Sequence, residues 1–160
     1  MIISNATPLI AFSRIGRLDL LRDVVAGELT VPEAVARELS EYRAGRPGTV
    51  DLTHEGWIRV RTVQDQQQVR LLLPTLDRGE AEVIALGLES NARLLLIDEL
   101  IGRKVAESLG LKISGSVGIL IRAKQIGALT AVRPPLEEMV RNGIFFSQRF
   151  LDAVFRQVEE

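Results

Sequence analysis

Short apolar runs, too brief for helices, alternate along this chain with longer stretches in which apolar residues return every three or four positions. The runs predict strands at residues 1–4, 29–31, 58–62, 94–97 and 111–113, the third alternating apolar and basic residues like an edge strand. Between them, helical spacing covers residues 9–25 with a break near Gly16, then 32–40, 64–73, 77–90 and 98–109, and three further helical segments complete the chain. Thr7-Pro8 reads as an N-cap with proline at the first helical position, and residues 42–49, with Gly45, Pro47 and Gly48, as an exposed loop. Strands that alternate with helices predict an α/β fold around a mainly parallel sheet. With no internal repeat or linker, a single domain over 1–160 is expected, with 116–160 as a helical C-terminal extension.

The most informative point in this pattern is Leu94-Leu95-Leu96-Ile97, which ends at Asp98-Glu99. Ligands of open α/β sheets bind just beyond the carboxyl ends of such buried strands, so acids there are candidates for metal or substrate chemistry. Both also suit a helix start, Asp98 as N-cap and Glu99 as first-turn acid. In Asp77-Arg78-Gly79-Glu80 the spacing is that of a capping box, yet Val83, Ile84 and Gly87 continue a stripe from Glu80 towards the core. Glu82 points about 200° away around the helix, so Glu80 is the better candidate. Glu38 flanks Val35 on the wheel of its helix, where a surface role is the simpler reading. Asn5 ends the first strand as a turn residue, with a carbonyl oxygen that can still serve a hard cation.

Composition narrows the chemistry. The 160 residues are 46% hydrophobic, enough for a sizeable core, and 20 basic against 21 acidic residues give no global field for nucleic acid or membrane. The absence of cysteine removes disulfides, thiolate metal sites and thiol nucleophiles, and His54 is the only imidazole. Any catalysis therefore rests on carboxylates. No dinucleotide fingerprint or P-loop is present, and the apolar start is too short for a signal or a span, so a soluble cytoplasmic protein is expected.

In order along the chain, Ser4-Asn5-Ala6-Thr7-Pro8-Leu9-Ile10, Val31-Pro32 with Val35 and Glu38-Leu39, Leu76-Asp77-Arg78-Gly79-Glu80-Ala81-Glu82, Ile97-Asp98-Glu99 with Gly102-Arg103, and Gly115-Ser116-Val117-Gly118 resemble the PIN domains, the VapC-like ribonuclease superfamily, in its small prokaryotic branch. The resemblance covers most of the chain and implies a three-layer α/β/α sandwich. It further implies Mg²⁺ or Mn²⁺ on a cluster of Asn5, Glu38, Glu80 and Asp98, with Glu99 as accessory, hydrolysing RNA phosphodiesters. Glu38, Glu80 and Asp98 would be the catalytic acids. An aspartate is usual in the superfamily where this chain has Asn5, so a catalytically reduced RNA- or protein-binding module is the alternative expectation. A Rossmann-like phosphotransfer domain would need an early aspartate that Asn5 replaces.

The same resemblance implies the toxin half of a toxin-antitoxin pair, a small antitoxin partner and a homodimer. Phe145, Phe146, Phe150, Val154 and Phe155 are candidates for sealing the dimer or for completing the core. RNA contact would fall to local basic residues. Arg43, Arg46 and Arg103 are the candidates carried forward, with Arg14 and Lys104 nearby in the acid-bearing segments.

Overall fold

The computed structural model describes residues 1–42 and 46–160. Five strands, β1 (Ile2–Ser4), β2 (Leu29–Pro32), β3 (Ile58–Arg61), β4 (Leu94–Leu96) and β5 (Ile113–Ser114), form one sheet in the order β3-β2-β1-β4-β5. Every pairing is parallel, with Ile2 opposite Leu29 on one side and Leu94 on the other. The helices are α1 (Ala6–Arg14), α2 (Leu18–Val25), α3 (Glu33–Glu41), α4 (Gln66–Leu72), α5 (Arg78–Ser90), α6 (Leu100–Ser108), α7 (Ser116–Gln125), α8 (Arg133–Arg141) and α9 (Gln148–Gln157). They flank the sheet as the expected α/β/α sandwich. α5 lies across β1, β2 and β4 with α3 and α4 beside it, while α2 packs on α7.

The strands are apolar on both faces because helices cover both. Ile3, Leu95, Leu96 and Ile97 are fully buried. The chain runs outward from β1 through β2 to β3 and then returns to the other side for β4 and β5, so the strand order reverses between β1 and β4. A crevice opens at the carboxyl ends of the two strands at such a reversal. Asn5 follows β1, and Asp98 and Glu99 follow β4, so the topology delivers those three residues to one place.

Three local expectations change. Helix α1 begins at Ala6 with Asn5 as its cap residue, and Pro8 occupies its third position; a proline in the first turn is harmless because the N–H it lacks has no intrahelical partner there. Asp98 does not cap the helix that follows it, whose cap residue is Glu99. Strand β5 sits later than expected because Gly110 turns the chain with φ +80°, and the carbonyls that accept from Leu95 of β4 and from Ile97 just beyond it belong to Lys112 and Ser114. Arg43, one of the candidate RNA contacts, lies outside the described residues.

Helix α5 is the most enclosed helix among the described residues, with Gly79 to Gly87 buried without interruption. Gly87 permits this approach: a Cβ there would come within 2.9 Å of the Leu95 side chain on β4. Two glutamates go inside with the helix, Glu80 at 8% exposure and Glu82 at 5%. Their destinations differ, as the wheel predicts. Glu82 accepts from the Ala34 N–H at 3.0 Å, capping the start of α3 from across the layer, and meets Arg78 at 3.7 Å. Glu80 faces the crevice.

Candidate metal centre

Asn5 is held by its backbone, whose N–H donates to the Leu96 carbonyl at 2.9 Å and so extends the β1–β4 ladder by one bond. The side chain is 4% exposed. Its Nδ2 donates to Glu99 Oε2 at 3.3 Å, and the other Glu99 oxygen accepts from the Thr7 hydroxyl at 2.6 Å. The Asn5 Oδ1, by contrast, is buried and makes no hydrogen bond. Such a group costs about 1–3 kcal/mol to leave unmatched, so this oxygen is suited to accept a ligand at the crevice.

Where that oxygen points is shown by Gly79. The space a side chain at 79 would fill is bounded by Asn5 Oδ1 at 3.3 Å, Glu38 Oε2 at 3.4 Å and Asp77 Oδ1 at 3.5 Å from the ideal Cβ position. Three oxygens from β1's end, α3 and the start of α5 therefore surround one small hollow. Glu38 is exposed along its helix, but its carboxyl end reaches this hollow. Glu80 stands beside it, with Oε2 3.2 Å from the place a Cβ on Gly102 would take, so Gly102 makes room for that carboxylate on α6.

The electrostatics follow from the crowding. Burial pushes the Glu80 carboxyl up to about 7, reinforced by Asp77 and Glu99 and by a hydrogen bond shared with Asp77. Burial likewise raises Glu38, with Asp77 and Glu99 adding to it. Carboxylates that repel one another this way attract a cation. Among the described residues no three acids stand in a ready-made metal cage. The donors that converge include a neutral amide oxygen, Asn5 Oδ1. An orphaned buried oxygen, a hollow walled by oxygens and an all-oxygen donor set fit a hard divalent cation such as Mg²⁺ or Mn²⁺.

Asp98 lines the crevice beside Glu99 and Arg103. Its Oδ1 accepts from the Ser116 N–H at 2.7 Å and its Oδ2 from the Ser116 hydroxyl at 2.6 Å, so it caps α7 rather than α6. Burial raises its pKa against the lowering pull of those two bonds and of Arg103. Arg103 donates to the Ile97 carbonyl at 2.9 Å, closing the end of β4. Gly115 leaves space for both: a Cβ there would fall 2.6 Å from Asp98 Oδ1 and 2.8 Å from an Arg103 nitrogen. Arg46 is exposed and stacks over the Tyr42 ring, 5.2 Å from its centroid, with Arg14 at 6.0 Å from the same ring.

The structure thus brings together Asn5, Glu38, Glu80 and Glu99, places Asp98 and Arg103 in the crevice beside Glu99, and leaves Arg46 beyond the end of α3. Asp77 belongs to the cluster although its sequence context announced only a cap. The clue was present in the neighbouring glycine, since Gly79 between two acids opens the hollow. A family model for DUF3368, described as a PIN domain, matches residues 1–160. The chain is a PIN domain. This membership covers the whole matched length and agrees with the all-parallel five-stranded sheet. A search among curated proteins finds no match to this PIN domain. No helix among the described residues is long and apolar enough to cross a membrane.

Proposed function

We propose that this PIN domain is a divalent-metal-dependent endoribonuclease and the toxin of a toxin-antitoxin pair acting in the cytoplasm. The observation that carries the reading is the buried, unpartnered Oδ1 of Asn5, aimed at the hollow that Glu38 also walls, with Glu80 beside it. Asn5, Glu38, Glu80 and Asp98, with Glu99 as accessory, would hold Mg²⁺ or Mn²⁺. When bound, the ion would neutralise a phosphodiester and lower the pKa of water. Glu99 fixes the Asn5 amide so that its oxygen faces inward, and Thr7 holds Glu99. In the metal-free protein the Glu80 carboxyl is raised to about 7 by burial and by Asp77 and Glu99, and a cation held there would favour its charged form. Asp98 also acts through Ser116 and Arg103, holding the start of α7 and a guanidinium beside the crevice, where Arg103 can meet an RNA phosphate. Arg46 would extend the contact with RNA beyond the end of α3, and Arg43, outside the described residues, is a candidate for the same contact on its sequence alone.

An apolar groove lined by Leu100, Ile144, Phe145, Phe146, Phe150 and Val154 runs into Glu99 and Arg103, and Phe145 is 87% exposed. It is the surface we assign to the second subunit of a homodimer. An antitoxin would silence the acids with a basic side chain of its own. Phe155 lies elsewhere: it is buried, with Arg133 stacked 3.7 Å above its ring, and completes the core.

The neutral side chain at Asn5 favours a second reading, a PIN scaffold that binds RNA or protein without cutting. Incubation of a mixed RNA pool with Mn²⁺ separates the two. Cleavage that disappears in chelator and in Glu80→Gln supports the nuclease, while intact RNA retained on the protein with no cleavage at any Mn²⁺ concentration supports the binding module.

A further inference from the structure

Asp77 occupies two settings at once. Its Oδ1 accepts from the Glu80 N–H at 2.8 Å, which is the ordinary bond of a helix cap. The same oxygen lies on the rim of the hollow that Asn5 Oδ1 and Glu38 Oε2 complete from other elements. A cap needs neither of those neighbours. Asp65, which caps α4 by the same bond from Gln68 N–H at 3.0 Å, is exposed as Asp77 is, and Asp77 differs in having Asn5 Oδ1 and Glu38 Oε2 around the same hollow.

We infer that Asp77 is a ligand of the divalent cation and supplies, from the start of α5, the negative charge that Asn5 does not bring from the end of β1. The inference rests on the metal-binding reading proposed above. Three points support it. First, the unpartnered, 4% exposed Asn5 oxygen faces the hollow on whose rim Asp77 stands, so the need for a ligand is registered independently of the acids. Second, an amide oxygen carries no formal charge, and a hard cation gains more from a carboxylate. Asp77 restores the count of carboxylates without a change at position 5. Third, a carboxylate at position 5 would meet Glu99, to which Asn5 now donates at 3.3 Å, whereas Asp77 Oδ1 shares its hollow with the Asn5 oxygen. The charge has been moved to the side of the hollow where Asn5 presents oxygen rather than N–H.

The test is Mn²⁺ binding by the intact protein, measured by calorimetry and by the loss of the free-ion paramagnetic resonance signal, with no RNA present. Asp77→Asn and Asp77→Ser both keep a good cap, so the fold is preserved, and circular dichroism melts of the metal-free proteins verify it. Each is expected to weaken Mn²⁺ binding by at least roughly tenfold. Asp65→Asn, the matched cap substitution away from the site, is expected to bind as the parent does. Parent-like affinity in both Asp77 variants overturns the inference and leaves the metal reading intact. A parent that takes up no Mn²⁺ overturns both. Weakening in Asp77→Ser alone, with Asp77→Asn equal to the parent, would show that an oxygen at 77 suffices and that its charge is not needed, which also rejects the charge transfer proposed here.

Discussion

The Asn5 amide spans two environments: its Nδ2 donates to Glu99 Oε2 at 3.3 Å while its Oδ1, on the same planar group, is buried without a partner. An amide suits this position because one end must give a hydrogen bond and the other must accept one. Aspartate cannot give. Asn5→Asp therefore sets two carboxylates against each other, and the metal-free protein is expected to lose on the order of 1–3 kcal/mol of stability. Melting with and without Mn²⁺ measures it, and the ion should recover most of the loss. An unchanged metal-free melting temperature would show that the Asn5–Glu99 bond contributes little.

Glu80 predicts the pH dependence. Its carboxyl, ordinarily at 4.5, is raised to about 7 by burial and by Asp77 and Glu99. Between those values the folded protein keeps a proton that the unfolded chain has released, so this stabilising contribution is fully present below pH 4.5 and is lost as pH rises through 7. Glu38 and Asp98, also raised, act in the same direction. The acids held below their usual range, Asp51, Glu138 and Glu160, act only in more acidic solution. In chelator the protein should melt higher at pH 5 than at pH 8, and Glu80→Gln should flatten much of that slope. A metal-free protein equally stable at both pH values would contradict the assignment.

Gly79 separates binding from folding. A methyl group there would sit 3.3 Å from Asn5 Oδ1 and 3.4 Å from Glu38 Oε2, inside the hollow. Alanine also raises helix propensity by about 1 kcal/mol in a helix interior, less in a first turn. Gly79→Ala should therefore melt within a few degrees of the parent, on the order of 1 kcal/mol either way, while its Mn²⁺ affinity falls about tenfold or more. Calorimetry on the variant decides it, and parent-like binding would place the cation elsewhere.

Much of the architecture was legible from the chain. The apolar run at 94–97 required cover on both faces, and the alternation of strands with helices required parallel pairing. The edge position of β3 followed from its alternating arginines, and Arg59 and Arg61 do lie outward, against Glu28. The choice of Glu80 over Glu82 rested on angle around the helix, which is a local quantity that sequence carries. What sequence did not carry was the identity of distant partners. Asp98 looked like the cap of its own helix, yet β5 brings Ser116 to it across 18 positions. Glu82 is set aside by the same angle, and nothing near it in sequence reveals that the Ala34 N–H is its partner. Asp77 was explained by its cap alone, since the oxygens that give it a second setting come from Asn5 and Glu38.

The bond from Ala34 to Glu82 gives the crevice a fixed aperture. Glu38 rides on α3 and Glu80 on α5, and the two helices are pinned together at their leading ends by a carboxylate that lies outside the cluster. Glu82 thus acts as a strut: any change in its length resets the gap between the two jaws that carry Glu38 and Glu80, and a shorter strut, as aspartate would make, tilts one jaw without touching an acid in the hollow. The spacing of the donors is in this sense a dimension of the scaffold rather than of the site.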